Sequence, residues 1–310
     1  MNFEKVSAKD YIMPDYIKTA QELIDNDIIE IPWFLDKLIP QGGLTVVSGS
    51  SDTGKSTFLR QMSLALVSGK DDYLGQRFTA KYRRVIYVST EDDTLSLSPR
   101  IKVEKNYFPA TTDYANLQFI FEYEKIEEKL RGAFERHPAD CIILDAFGDF
   151  FDGDPNSASS TRGFMNSYKA MADEFGCAIV FLHHNRKSAG TNNPDKNDLL
   201  GSMAIEAKAR SVLMLSQPES RPDRRTLKVV KGNYLTPDEK KVVYDLSFVG
   251  GIFDLGGIKD STTTTATDDH LRDLVYKLKD EGLSVRDISD AAKTHGFDIS
   301  KSSVSRILNG

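Results

Sequence analysis

Gly49-Ser50-Ser51-Asp52-Thr53-Gly54-Lys55-Ser56 fills the pattern G-x-x-x-x-G-K-[ST] at every fixed position. Such a loop cradles a phosphate. Gly49 and Gly54 let the backbone turn its N–H groups inward, and Ser50, Ser51, Asp52 and Thr53 supply the turn between them. Lys55 brings a point charge for the β- and γ-phosphates, and the Ser56 hydroxyl is placed to reach Mg²⁺. The flanks agree. Leu44-Thr-Val-Val-Ser48 ahead of the loop is a short apolar, β-branched run. The stretch from Thr57 to Leu66 behind it has the composition of a helix whose N-terminus faces the anion. The expected ligand is therefore a nucleotide phosphate, with Mg²⁺ beside it.

Outward from the loop, apolar strands alternate with helical stretches. Strands are expected at 84–89, 117–121, 141–144 and 178–182, and helices at 95–107, 123–137 and 161–175. Alternation of this kind predicts an α/β fold with a mostly parallel sheet and helices on both faces. Runs at 211–215, 226–230 and 241–246 follow one another closely and predict an antiparallel extension. Residues 1–40 read as a lead-in with a helix over 14–27. The core domain spans 41–255, a polar linker 256–268, and a small all-α module 269–310. With 310 residues, the chain has room for one large domain and small appendages.

Three strand ends carry polar groups. Ile142-Ile-Leu-Asp145 ends in a carboxylate suited to the Mg²⁺ shell. Val85-Ile-Tyr-Val-Ser-Thr-Glu91-Asp92 offers Glu91 as a base for an attacking water, or as a cap of the next helix, for which Asp92 is the better candidate. Phe181-Leu-His183-His184 offers a γ-phosphate sensor or a structural pair. Neighbouring residues on a strand point opposite ways, so one of the two histidines faces the nucleotide. The polar segment 185–198 reads as a loop, either coupled to the nucleotide or simply solvated.

Bulk properties exclude several classes. A net charge of −6 argues against a generally basic nucleic-acid coat, though not against a local basic channel. No apolar stretch approaches the length of a membrane span. The N-terminus lacks a secretory pattern, and Cys141 and Cys177 both sit in apolar runs, so a cytoplasmic location is expected.

Taken together, these residues resemble the RecA-like P-loop ATPases, and within them the RepA-type group of plasmid and phage hexameric helicases. The resemblance covers about 30–250. It rests on Ile39-Pro-Gln-Gly-Gly-Leu-Thr45, the P-loop, Ser89-Thr-Glu-Asp92, Leu144-Asp-Ala-Phe147, His183-His-Asn-Arg-Lys187, Leu200-Gly-Ser-Met-Ala204 and Ala209-Arg-Ser-Val-Leu213. It implies that Lys55, Ser56 and Thr57 hold phosphate and Mg²⁺, with Asp145 as the metal-side acid. It also implies that Glu91 is the catalytic carboxylate on the strand beside the P-loop, that His184, with His183 as the alternative, is the sensor, and that Arg210 reaches a neighbour's ATP. Lys231 stands near a second basic finger, but Lys231-Gly-Asn233 lacks the arginine of that motif. Asp149, Asp152 and Asp154 would repel DNA, which leaves 185–198 as the pore loop. The implied partners are a homo-oligomer, as a hexameric ring, with single-stranded DNA in its pore. The implied activity is a DNA helicase or translocase serving replication of a mobile element. A nucleotide-gated DNA-binding regulator is the alternative, and a small-molecule kinase is disfavoured because nothing suggests an acceptor pocket.

The tail from Leu283 to Leu308 resembles a helix-turn-helix, with Val285, Ile288, Ala292, Val304, Ile307 and Leu308 as its core. Ser302, Ser303, Ser305 and Arg306 would face a DNA groove. Seven Lys/Arg against eight Asp/Glu over 268–310 keep protein docking open beside duplex DNA binding.

Overall fold

The structure, a computed structural model, describes residues 17–151, 153, 157–184, 205, 207–218, 221–260, 266–297 and 299–309. The chain divides into Met1–Pro32 and Trp33–Gly310. In the first unit the described helix is α1, Ala20–Ile24, shorter than the expected 14–27. Thr19 and Glu22 form a reciprocal capping box that starts it. Asn26 accepts the Ile28 N–H at 2.9 Å, an Asx turn that replaces further helix.

The second unit begins with β1 (Trp33–Leu35) and β2 (Ile39–Pro40), whose Phe34, Leu35, Leu38 and Ile39 are core residues. The expected lead-in therefore ends at Pro32, and 33–40 belongs to the core. Then follow β3 (Leu44–Gly49), α2 (Lys55–Val67), β4 (Asp72–Tyr73), β5 (Gln76–Arg77), β6 (Val85–Ser89), α3 (Thr94–Glu104), β7 (Leu117–Ile120), α4 (Ile126–Arg136), β8 (Cys141–Asp145), α5 (Phe147–Phe150), α6 (Ala158–Phe175) and β9 (Ala178–His184). Last come β10 (Ser211–Ser216), β11 (Arg224–Gly232), β12 (Val242–Val249) and β13 (Ile252–Asp260).

The main sheet has nine strands in the order β13-β12-β11-β10-β3-β9-β8-β6-β7. The run from β10 to β7 is parallel, and β11 to β13 add an antiparallel extension. β3 thus lies inside the sheet and is buried along its whole length. Its alternating side chains feed two cores. Val47 joins Phe58, Leu59, Met62 and Leu66 of α2 on one face. Leu44 and Val46 join Met165, Tyr168, Met171 and Ala172 of α6 on the other. Each large side chain buried this way contributes about 1.5–3 kcal/mol, which holds β3 and α2 at a fixed angle around the loop between them. At the opposite end of the sheet the Asp140 carboxylate accepts the N–H groups of Lys81, Tyr82 and Arg84, locking the entry of β6 against β8.

One feature of the extension departs from expectation. β13 went unforeseen, because its glycines read as a linker, yet it pairs with β12 through Asp260 and so claims 256–260. The Arg224 guanidinium lies over Gly256, 2.5 Å from where a Cβ would stand, and reaches Asp245 at 2.7 Å. The helices expected over 95–107, 123–137 and 161–175 occur with edges shifted by a few residues, and Pro99 lies inside α3.

Beyond 265 the helices Ala266–Asp280, Val285–Thr294 and Lys301–Asn309 enclose their own small core of Val275, Leu278, Ile288, Ala292, Ile299 and Val304. Ser284 caps the second helix, and Gly296 takes φ 84° in the turn that follows it. The Ser289 hydroxyl donates to the Ile299 carbonyl at 2.7 Å and ties the turn to the helix. Ser302 and Ser303 share hydroxyl contacts with Ser300 at the start of the last helix. The Arg306 side chain, the expected reader, lies outside the described residues, as does the expected pore loop 185–198.

Candidate nucleotide site

The loop 50–54 emerges at the carboxyl end of β3, where an open parallel sheet collects its ligands. Gly49 must be glycine because a Cβ would lie 2.3 Å from the Leu215 carbonyl of β10. Gly54, the residue before α2, takes the left-handed conformation at φ 91°. Asp52 also lies at positive φ, 62°, as the outward turn of the loop. The Thr53 hydroxyl donates to the Ser50 carbonyl at 3.0 Å. No side chain caps α2, so its first N–H groups, from Lys55 onward, are free for an anion.

Lys55 is buried and donates to the Ser50 carbonyl at 2.8 Å. Burial pushes its ammonium down to about 8, while Asp145, Glu91 and Asp52 oppose that shift. Asp145 ends β8 and is 3% exposed. Burial pushes its carboxyl up. The Tyr87 and Ser56 hydroxyls pull it back, Glu91 raises it further and His184 lowers it. The Tyr87 hydroxyl donates to Asp145 Oδ2 at 2.7 Å, whereas Oδ1 is buried with no hydrogen-bond partner. A buried carboxylate oxygen left without a donor beside a serine hydroxyl suits a hydrated Mg²⁺ held jointly with nucleotide phosphates. Among the described residues no cluster of three or more His, Cys, Asp or Glu could cage a metal alone. Ser56, Asp145 and the phosphates would therefore share the ion.

Thr90 braces this corner. Its N–H donates to the Asp145 carbonyl at 2.8 Å, and its hydroxyl accepts the Ala146 N–H at 3.1 Å and contacts Asp149. Asp149 is thus engaged by Thr90, and Asp152 and Asp154 lie outside the described residues.

Glu91 and His184 meet within electrostatic reach of Asp145. His184 Nε2 lies 3.2 Å from Glu91 Oε1, although 93 residues separate them. Both are open to solvent, at 42% and 54% side-chain exposure. His183 points the other way, buried against the Phe147 ring at 5.3 Å. Of the adjacent pair, His184 is therefore the one aimed at the site. One detail of the expectation is corrected. β6, whose carboxyl end leads to Glu91, does not lie beside the P-loop strand, because β9 and β8 stand between them. Glu91 reaches the site because it lies past the end of β6, within electrostatic reach of both Lys55 and Asp145.

Arg210 and Lys231 stand elsewhere. The Arg210 N–H donates to the Leu44 carbonyl, at the start of β3. Gly49 is five residues on, roughly 16 Å along a strand. The Arg210 guanidinium lies over the Tyr234 ring at 6.0 Å. Lys231 pairs in register with Val212 and donates to the Ala209 carbonyl at 2.8 Å. Neither residue is brought to the phosphate loop of its own chain.

Sequence reading missed Tyr87, Thr90 and Arg225. Arg225, on β11, is 4% exposed and donates from Nε to the Thr53 carbonyl at 2.9 Å. Its guanidinium lies 4.6 Å from the Phe248 ring. Only Tyr87 carried a local signal, as a phenol inside a strand whose end was already assigned to the site.

This fold and site define a RecA-like P-loop ATPase. A family model described as "AAA domain" matches residues 16–190, and the chain belongs to that family. The chain is also similar to a protein named DNA repair protein RadA from Halalkalibacterium halodurans, 25% identical over 220 residues. That alignment covers 70% of this chain and 42% of the relative, so the chain spans about two fifths of that protein's length. Among the described residues no helix is long and apolar enough to cross a membrane.

Proposed function

We propose that this ATPase is a ring-forming motor on DNA, a helicase or translocase of the RepA type, with ATP hydrolysed between subunits. The observation that carries the reading is the exposed Glu91–His184 pair at the carboxyl edge of the sheet, 3.2 Å apart. A hydrolytic carboxylate works best in a site closed to bulk water. Here the cover would come from a neighbouring copy. Glu91 orients and deprotonates the attacking water, and His184, joined to it, registers the presence of the γ-phosphate. Lys55 and the N–H groups at the start of α2 bind the phosphates, and Ser56 and Asp145 would hold Mg²⁺, which would supply positive charge against the phosphates. Arg210, too far from its own loop, serves the neighbour's ATP, with Lys231 beside it at the same end of the sheet. The name of the RadA relative supports DNA as the polymer.

ATP turnover with and without single-stranded DNA tests this in the wild type, Glu91→Gln and Arg210→Ala. Loss of the base should cost about 10²–10⁴, and loss of a trans arginine about 10³–10⁵. Mixing the two variants should restore part of the turnover, because one interface then combines an intact Glu91 with an intact Arg210. Undiminished turnover in both variants, or no recovery on mixing, overturns the assigned roles.

A second reading, a nucleotide-gated DNA-binding regulator, is favoured by the separate core of the C-terminal helices. Removing 266–310 leaves β13 whole. Absence of strand separation by the full chain, with duplex binding lost on truncation, selects this reading over the motor.

A further inference from the structure

We infer that Arg225 is a positioning residue for nucleotide binding, pinning the Thr53–Gly54 peptide so that the Gly54 N–H faces the phosphate. The inference rests on the P-loop as the nucleotide site and is independent of DNA or assembly.

The chemistry lies in one peptide unit. Arg225 Nε donates to the Thr53 carbonyl at 2.9 Å. That carbonyl shares its peptide with the N–H of Gly54, and in a trans peptide the two point in opposite directions. Holding the oxygen on the β11 side therefore aims the N–H away from it, toward the concave side of the loop. A charged donor on the oxygen also polarises the peptide and strengthens the N–H as a donor. Glycine at 54 makes this necessary: with φ at 91° and no Cβ, its own conformational preference does little to fix the peptide plane.

The guanidinium is itself held. Nη1 donates to the Pro222 and Arg224 carbonyls at 2.7 and 2.8 Å, and one face lies on Phe248. Phe248 packs on Phe253 with ring centroids 4.4 Å apart. Both rings close over Gly54, where a Cβ would lie 3.0 Å from Phe253 and 3.2 Å from Phe248. The β12–β13 turn is fastened to α2 by Gln61, which donates to the Gly251 carbonyl at 2.6 Å and accepts the Phe253 N–H at 3.0 Å. The antiparallel extension thus holds the loop from outside, and Arg225 is its polar contact with the loop backbone.

The experiment measures ATP affinity in the presence of Mg²⁺, kcat at saturating ATP and the thermal midpoint, in the wild type, Arg225→Ala and Arg225→Lys. One charge-assisted hydrogen bond predicts a Kd about tenfold weaker in Arg225→Ala. The expected kcat at saturation stays within about threefold, since the contact acts equally on ground and transition states. Millimolar guanidinium ion should restore the affinity of the alanine variant, and the same concentration of urea should not. Arg225→Lys keeps the charge without the planar fork and should fall between the two. Unchanged Kd in a folded alanine variant overturns the inference. So does lost affinity that follows the thermal midpoint and is not rescued by guanidinium, which marks Arg225 as structural only. If the alanine variant does not fold, the lysine variant decides: wild-type Kd with a lowered midpoint overturns the inference. Failure of the wild type to bind ATP would instead refute the site itself.

Discussion

Raising the pH through 8 should weaken nucleotide binding, and the cause is the burial of Lys55. Its ammonium sits at about 8 in the free protein. A bound triphosphate favours the charged form, so the pKa in the complex lies above that of the free protein. Affinity is then fully present below the free pKa and is lost as pH rises through it toward the pKa of the complex. Between pH 7 and 9 the charged fraction of a group with that pKa falls from about nine-tenths to about one-tenth, so Kd should rise about tenfold. Binding at pH 8 should also take up about half a proton, against about one-tenth at pH 7. The phosphate of MgATP, with a second pKa of about 6, is already deprotonated there and adds little. Titration calorimetry in two buffers of different ionisation enthalpy reads the proton count directly, and Lys55→Met is the control. Proton uptake near zero at pH 8, or the same uptake in the control, would refute the argument that a desolvated Lys55 governs affinity.

Other perturbations test separate parts of the structure. Gly54→Ala forces a Cβ into the left-handed region, at about 1–2 kcal/mol, and against the Phe253 ring, so it should lower the denaturation midpoint and abolish ATP binding. Tyr87→Phe removes the donor to Asp145 Oδ2, so the carboxyl should rise further and the acid limb of the turnover profile should move to higher pH. An unmoved acid limb would remove Asp145 from the titration. Arg60 and Glu104 form a bidentate ion pair, both buried, between α2 and α3. Arg60→Met strands the carboxylate and should cost about 3–5 kcal/mol in chemical denaturation, and the double variant with Glu104→Met should recover most of it.

The P-loop and Asp145 were legible because local chemistry specifies them. Glycines at 49 and 54, a lysine opening a helix and a carboxylate ending an apolar strand need no knowledge of distant partners. The C-terminal helices were legible for the same reason, since each carries its apolar stripe at helical spacing. β13 was not, because Gly256-Gly257 has the composition of a linker. It becomes a strand because β12 offers it hydrogen bonds along its length.

The amino-acid order determined that this protein holds a phosphate, ends its strands in acids and histidines, and alternates strands with helices. Periodicity and backbone stereochemistry act over a few residues, and such properties can be read where they stand. Strand order was decided only in three dimensions. It set two strands between β6 and β3, brought Glu91 to His184 across 93 residues, and carried Arg210 to the far end of the sheet from its own phosphate loop. It also laid Arg225 of β11 against Thr53. These contacts join residues far apart in the chain, and their geometry follows from which strands pair and how the two cores pack, information that no short stretch of sequence contains.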